Sequence, residues 1–249
     1  MNTNTNPQTS TALMRDGSGA MFDRIAARYD LLNRLMSLGL DARWRNRLVR
    51  CLSDAADKAV AAGQRLEFLD VATGTADVAL AIARAYPGAH VIGLDPSREM
   101  LAVGKKKVGE RGLDEHVELV EGDAQALPFE DGRFAATSIS FGIRNVPNRL
   151  LGLKEMARVT RRGGLVVVLE LNEPERGPLA PLAKLHVHHI VPRLGAWLSG
   201  AKEYRYLQTS IAAFPSPETF AGMMEAVGLH VEGMTSLGFG SAHLYVARA

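Results

Sequence analysis

The segment EFLDVATGTADVALAIA, residues 67–83, constrains the fold more than any other part of the chain. A short apolar run ends in Asp70, a loop of small residues follows, and an alanine-rich stretch continues without a helix breaker. This order predicts a buried strand, a tight turn and a helix, the unit from which parallel sheets with crossover helices are built. Such sheets bind ligands at the carboxyl ends of their strands. We therefore expect an α/β fold with a ligand site at this loop.

Further β-branched runs alternate with helix-period segments, as a mainly parallel sheet requires. The runs are HVIGLD (90–95), VELVEG (117–122), FAATSISF (134–141) and LVVVLEL (165–171). Helices are predicted to begin after Pro96-Ser97, at Asn148 and at Ser216-Pro217, and the helix from Asn148 is predicted to end at Arg162-Gly163-Gly164. Two last runs, HVEGMTSL and SAHLYVARA, flank Gly238-Phe239-Gly240 and are predicted to pair antiparallel at the end of the sheet.

The 249 residues, 47% of them hydrophobic, suffice for one domain of ordinary α/β size. We predict a disordered tail at 1–20, because this segment is rich in Asn, Thr and Ser and lacks the apolar core of a signal peptide. Residues 21–249 are predicted to form a single domain. It comprises a helical cover (21–65), a ligand-binding core (66–171), an insertion over the sheet edge (172–214) and a C-terminal helix and strand pair (215–249).

Charge and composition exclude several classes of protein. The 29 basic and 27 acidic residues leave a formal charge of +2, which gives no indication of a nucleic-acid partner. The single Cys51 cannot form an intramolecular disulfide, which fits a reducing compartment. No segment is apolar over the roughly 18 residues that a membrane span needs, so we expect a cytoplasmic protein. No metal is predicted, because His186-Val187-His188-His189 has no cysteine or spaced carboxylate to complete a ligand set; one of these histidines stays a candidate proton acceptor.

The segment DARWRNRLVRCL is predicted to be an amphipathic helix that buries Trp44 and Leu48. Arg43, Arg47 and Arg50 lie on its opposite face. We interpret this face as a solvated surface. The alternative is a surface that meets membrane phosphates, which would make the protein peripheral at the inner face of the membrane. The sequence leaves the oligomeric state open.

The loop after the first strand disfavours a dinucleotide. Ala76 occupies the place where a dinucleotide site needs a second glycine to approach the pyrophosphate. Asp95, 21 positions after Gly74, still ends the second strand, where a carboxylate can accept both ribose hydroxyls. These features suit S-adenosylmethionine (SAM), an adenosine ligand without a diphosphate. Its amino-acid part would meet Asp70, Gly74 and Thr75, and its adenine would meet Asp123-Ala124; helix capping is the alternative role for Asp95 and Asp123.

Several stretches resemble the quinone-biosynthesis C-methyltransferases, which act on demethylmenaquinone and on the polyprenyl-benzoquinol precursor of ubiquinone. SISFGIRNVPN and AARYDLLNRLMSLG are far more specific than the glycine loop. The full set spans nearly everything after the tail: MFDRIAARYDLLNRLMSLGLDARWR (21–45), FLDVATGTADVALAIA (68–83), DAQALPF (123–129), SISFGIRNV (138–146), GLKEMARVTRRGG (152–164), YRYLQTSI and PETFAGMMEAVGL.

The resemblance implies a class I SAM-dependent methyltransferase fold: a Rossmann-like, doubly wound α/β sheet of seven strands with the last antiparallel. It also implies a prenylated quinol as substrate, and cofactor contacts at Thr75, Asp95, Asp123, Ala124 and Ser140. The chain departs from the family in three places. Ala76 stands where glycine is usual, Asn172-Glu173-Pro174 replaces a Ser-Lys-Pro-like turn, and SAHLYVARA replaces the usual Gly-Tyr-Lys-like end.

We therefore expect SAM-dependent C-methylation of a quinol ring, with demethylmenaquinol as the first candidate acceptor. The alternatives are another small-molecule methyltransferase, a non-catalytic SAM-binding partner, and an NAD-dependent oxidoreductase, against which Ala76 argues. Arg144 and Asn145, just past the fourth strand, are candidates for polarising the acceptor hydroxyl, and loop capping is an equal alternative. Tyr29 and Asp30 are candidates for closing over the acceptor, and Tyr204 and Tyr206 for lining its channel; packing is the alternative for these tyrosines.

Overall fold

A seven-stranded sheet forms the centre of the protein, in a computed structural model that describes residue 26 and residues 29–37, 39–172 and 208–249. The strand order is β3-β2-β1-β4-β5-β7-β6. The first five strands pair in parallel, and β7 is antiparallel to both of its neighbours, as predicted. The strands are β1 Glu67–Val71, β2 His90–Asp95, β3 Val117–Glu121, β4 Phe134–Ser140, β5 Thr160–Leu171, β6 His230–Leu237 and β7 Ala242–Arg248.

Helices cover both faces of the sheet. Apolar side chains of α2, α3 and α4 form one buried cluster with one face of the strands, and those of α6 and α7 form a second cluster with the other face. The arrangement is the doubly wound sheet that the alternating pattern predicts. The helices are α1 Tyr29–Met36, α2 Asp41–Cys51, α3 Ser53–Ala61, α4 Asp77–Ala85, α5 Arg98–Glu110, α6 Arg149–Val159 and α7 Pro217–Ala226.

Polar caps start the helices where the sequence places them. The Ser97 hydroxyl accepts a hydrogen bond from the Met100 amide at 3.1 Å, and the Asn148 side chain accepts one from the Leu151 amide at 3.1 Å. Ser216 caps α7 in the same way, with proline in the first turn. Each cap satisfies an amide that has no partner within its helix.

Strand β5 begins five residues earlier than its apolar run predicts. The TRRGG segment before Leu165 belongs to the strand, and the pairing with β4 shifts between Phe134 and Ala136. A Cβ at Gly164 would lie 2.5 Å from the carbonyl oxygen of Ala135, so only glycine fits at this approach. The prediction read these glycines as the end of a helix, whereas they form an irregularity in the strand.

The N-terminal helices include the predicted amphipathic one. Helix α2 buries Trp44 and Leu48, and its Arg43, Arg47 and Arg50 are exposed. Within the described ranges no helix has the length and apolar character to cross a membrane. The predicted tail and residues 173–207 of the predicted insertion, with Tyr204, Tyr206 and the histidines at 186, 188 and 189, lie outside the described residues.

Candidate functional site

The loops at the carboxyl ends of β1 and β2 meet at the Asp95 carboxylate. One of its oxygens accepts a hydrogen bond from the Gly74 amide at 2.8 Å, and the other accepts one from the Ser97 amide at 2.9 Å. Asp95 is 7% exposed. Two backbone amides thus fix the orientation of this carboxylate, and they bring together two of the residues that the sequence predicts to meet.

Asp70 joins β1 to β4 below this loop. Its carboxylate accepts hydrogen bonds from the hydroxyls of Thr73 at 2.6 Å and Ser138 at 2.8 Å. Complete burial raises the pKa of Asp70 to about 6, although both hydroxyls and the more distant Arg45 favour the charged form. No cation of the described ranges contacts this buried carboxylate directly, so it is poised to receive a positively charged group from a ligand.

The raised pKa of Asp70 makes a testable prediction about stability. In the unfolded chain an aspartate titrates near pH 4, so between about pH 4 and 6 the native protein holds a proton that the unfolded chain has lost. The contribution of Asp70 to the stability of the fold is therefore fully present below pH 4 and is lost as the pH rises through 6. At 1.36 kcal/mol per pH unit the loss is about 3 kcal/mol. We expect the free energies of unfolding of wild type and Asp70→Asn, measured by urea denaturation, to diverge by this amount between pH 4 and 7. A difference that does not change with pH would contradict the raised pKa of Asp70.

Non-glycine residues with left-handed backbone geometry lie where the loops touch. Ala72, Ala76 and Phe141 have φ values of 51°, 66° and 57°. A Cβ at Gly142 would lie 2.6 Å from the Cβ of Ala72, so the loops after β1 and β4 are in close contact. This geometry costs an L-residue about 1–2 kcal/mol each, and such strain concentrates at functional sites. The departure at Ala76 therefore keeps a glycine-type conformation without a glycine.

The predicted contacts on β3 and β4 differ in their surroundings. Ser140, at the end of β4, has a buried hydroxyl that finds no hydrogen-bond partner in the part of the chain that the structure describes. Ala124 is buried, whereas Asp123 is exposed and accepts hydrogen bonds from the backbone and side chain of Gln125. Ser140 therefore has an unmet hydrogen bond that a ligand can satisfy, and Asp123 shapes the turn after β3.

Thr75 is held by charged side chains. Its hydroxyl donates to Asp30 of α1 at 2.7 Å and accepts from Lys107 of α5 at 2.9 Å. Lys107 also binds Asp30 at 2.5 Å and Asp77 at 2.7 Å. Arg45 extends the network, because it binds Asp77 at 2.9 Å and Asp41 at 3.1 Å. This ion network joins the N-terminal helices to the loop after β1. The sequence suggests Asp30 only as a residue that closes over the acceptor, and it does not predict these ion pairs.

We expect Lys107→Met to loosen α1 from the core. The substitution leaves Asp30 and Thr75 without their shared cation, and these groups are less than one-third exposed, so solvent replaces the cation incompletely. Amide hydrogen exchange in residues 29–37 should become about tenfold faster. Lys106→Met is the matched control. Lys106 is 78% exposed, and its one ion pair, with Glu110, is long at 3.8 Å and therefore weak. Equal protection of α1 in both variants would contradict the role of the network.

Arg144 forms a buried ion pair at the ends of β4 and β5. Its Nη1 atom donates to the Glu170 carboxylate and to the Phe141 carbonyl, each at 2.6 Å. Glu170 also accepts from the amides of Arg144 and Leu171, so it fixes both the guanidinium and its turn. The side chains are 3% and 0% exposed. Asn145 is half-buried in the same turn.

Glu170 was not among the predicted site residues. The available signal is a single acidic residue inside the apolar run LVVVLEL, because a charge in a buried strand needs a partner. Among the described residues no group of three or more His, Cys, Asp or Glu side chains could hold a metal ion. Tyr29 begins α1, but its side chain lies outside the described set.

Comparison with known proteins identifies close relatives in sequence. The model of the ubiE/COQ5 methyltransferase family matches residues 11–248. A demethylmenaquinone methyltransferase of Thermus thermophilus is 43% identical over 227 residues, which are 91% of this chain and 98% of that protein. A ubiquinone/menaquinone biosynthesis C-methyltransferase UbiE of Syntrophotalea carbinolica is 44% identical over 208 residues, or 84% of each chain.

Solved structures share the fold at low sequence identity. A SAM-dependent methyltransferase from Aquifex aeolicus superposes with a TM-score of 0.54 at 18% identity, covering 73% of this chain and 81% of its own. The [4+2]-cyclase SpnF gives a TM-score of 0.57 at 18% identity and 80% coverage of both chains. At this identity the likeness establishes the fold alone. The family match over nearly the whole chain is decisive: this chain belongs to the ubiE/COQ5 methyltransferase family.

Proposed function

We propose that the protein transfers a methyl group from SAM to a ring carbon of a prenylated quinol, with demethylmenaquinol as the acceptor. The observation that carries this proposal is the 43% identity to a relative named demethylmenaquinone methyltransferase, across 98% of that protein's length. Other relatives are named for both ubiquinone and menaquinone biosynthesis, so a demethylated benzoquinol is the second acceptor to test.

The residues at the loop after β1 fit SAM. The unpartnered Ser140 hydroxyl and the buried Asp70 carboxylate leave polar groups to be satisfied, and the amide-held Asp95 is oriented as a ribose contact needs. We assign Asp95 to the ribose, Asp70, Gly74 and Thr75 to the amino-acid part, Asp123-Ala124 to the adenine, and Ser140 as a further contact. When bound, SAM would supply a methyl group on a positively charged sulfur, which leaves as the neutral thioether of S-adenosylhomocysteine when a carbon nucleophile takes the methyl group.

Arg144 and Asn145 would act on the acceptor. The ring carbon becomes a nucleophile when the adjacent hydroxyl loses or shares its proton, and the ring carbon loses its own proton after the new bond forms. A guanidinium near that oxygen stabilises the negative charge that develops there. Glu170 and the Phe141 carbonyl hold Arg144 in one orientation. Orientation and exclusion of water can supply roughly 7–11 kcal/mol, so no covalent catalyst is required.

Methyl transfer from labelled SAM tests the proposal. Chemically reduced demethylmenaquinol and a demethylated benzoquinol are offered in parallel, and mass spectrometry locates the methyl group on the ring. We expect ring methylation of demethylmenaquinol. Methylation of a soluble catechol without either quinol would favour another small-molecule methyltransferase, and SAM binding without turnover would favour a non-catalytic partner role.

We further propose that the enzyme works as a peripheral protein at the inner face of the membrane. A prenylated acceptor resides in the bilayer, and Arg43, Arg47 and Arg50 form an exposed basic face on α2. Sedimentation with anionic vesicles, compared with neutral vesicles and with the triple Arg→Gln variant, tests this contact.

A further inference from the structure

Three buried polar atoms near the carboxyl end of β5 and the start of β7 have no hydrogen-bond partner among the described residues. They are Asn172 Oδ1, His243 Nδ1 and the Tyr245 hydroxyl. The residues are 7%, 9% and 0% exposed, respectively. A buried polar atom left unpaired costs about 1–3 kcal/mol, and native proteins rarely keep several in one place without a use for them.

These atoms lie on the sheet face that carries Glu170. His243 pairs directly with Glu170 across the β5–β7 ladder, and Tyr245 pairs with Val168 two residues earlier on the same face. The rings of His243 and Tyr245 are 6.2 Å apart. Asn172 reaches the same side, because its amide nitrogen donates to the Pro215 carbonyl just before α7. The unpartnered atoms therefore adjoin the Arg144–Glu170 ion pair.

Both titratable groups are neutral at neutral pH. Burial lowers the pKa of His243, although Glu218 opposes the shift. Burial, Glu170 and Glu218 all raise the pKa of Tyr245. A neutral imidazole, a phenol and an amide can each exchange hydrogen bonds with a neutral hydroxyl or carbonyl. The cluster thus suits an uncharged oxygen-bearing ligand better than an anion or a cation.

We propose that Asn172, His243 and Tyr245 form a subsite for the oxygen-bearing ring of the acceptor, and this inference rests on the proposed function. Two strand spacings separate β4, which carries Ser140, from β7, a distance of about 10 Å. This spacing is comparable to the length of a fused two-ring quinol, which would lie along this edge of the sheet with its far oxygen at His243. Two of the three subsite residues lie in SAHLYVARA, one of the segments that depart from the family pattern.

The subsite is tested by measuring quinol binding and turnover in variants that lack either the Tyr245 hydroxyl or the His243 imidazole. The probe is a reduced demethylmenaquinone with one isoprene unit, and the variants are Tyr245→Phe and His243→Leu. For each we expect a 3- to 10-fold rise in the Kd and KM for this quinol, with the Kd for SAM within twofold of wild type. Tyr86→Phe is the matched control, because it removes a hydroxyl that donates to the Val49 carbonyl at 2.9 Å, on the opposite face of the sheet.

The proposed function and the subsite fail in different ways. A wild-type enzyme that binds the quinol but does not methylate it refutes the function, and the subsite is then decided by the quinol Kd alone. If Tyr245→Phe and His243→Leu both keep the wild-type quinol Kd, the subsite is refuted. In that case the unpartnered atoms are internal features of the β5–β7 pair, and their removal should raise stability.

Discussion

Asp95→Ala should weaken SAM binding by about 100-fold or more. A hydrogen bond to a charged group contributes about 1.5–3 kcal/mol, and without this carboxylate the ribose of SAM would lose two such bonds. The substitution also removes the group that accepts from the Gly74 and Ser97 amides, so the loop after β1 loses its anchor. Isothermal titration calorimetry with SAM measures the loss directly.

Glu121→Ala is the control for Asp95. Glu121 ends β3 and pairs with Asp95 in the sheet register, yet it is exposed and binds Arg98 at the surface. The Glu121→Ala variant should bind SAM with the affinity of wild type. Near-normal SAM affinity in a folded Asp95→Ala variant would refute the assignment of Asp95 to the ribose.

The effects of substitutions at Arg144 and at Glu170 should not be additive. Either single substitution, Arg144→Met or Glu170→Leu, leaves a buried charge unpaired and should cost about 3–5 kcal/mol of stability. The double variant replaces both charges with apolar groups and should recover most of that loss. Turnover should stay at least about 100-fold below wild type in the double variant, because the guanidinium proposed to stabilise charge on the acceptor is gone.

The double variant separates the two roles of Arg144. Chemical denaturation reports stability, and single-turnover methyl transfer at saturating SAM reports catalysis. SAM affinity in the double variant should be close to wild type. Full turnover in the double variant would return Arg144 to the loop-capping role that the sequence left open.

The sequence predicts the fold well because its signals are local. The apolar runs, the polar caps at Ser97, Asn148 and Ser216, and the glycine turn before the last strand each depend on a few neighbouring residues. The juxtaposition of Gly74 with Asp95 also follows, since the carboxyl ends of adjacent parallel strands meet at one edge.

The sequence predicts the site less completely because its partners are distant in the chain. Glu170 meets Arg144 across 26 positions, and Lys107 meets Thr75 across 32. No local pattern specifies such pairs, and one charge inside an apolar strand indicates only that some partner exists. The unpartnered atoms of His243 and Tyr245 depend on burial, which becomes visible only when the sheet is assembled.

The order of the last two strands affects how the protein is made. Strand β6 is synthesised before β7, yet it joins the sheet only through β7, which pairs with β5 on its other side. Until residue 248 is added, β5 therefore presents an open edge and β6 has no place in the sheet. An unpaired edge of this kind invites pairing with other chains. Chains truncated before or within β7 should therefore aggregate rather than yield a smaller folded enzyme.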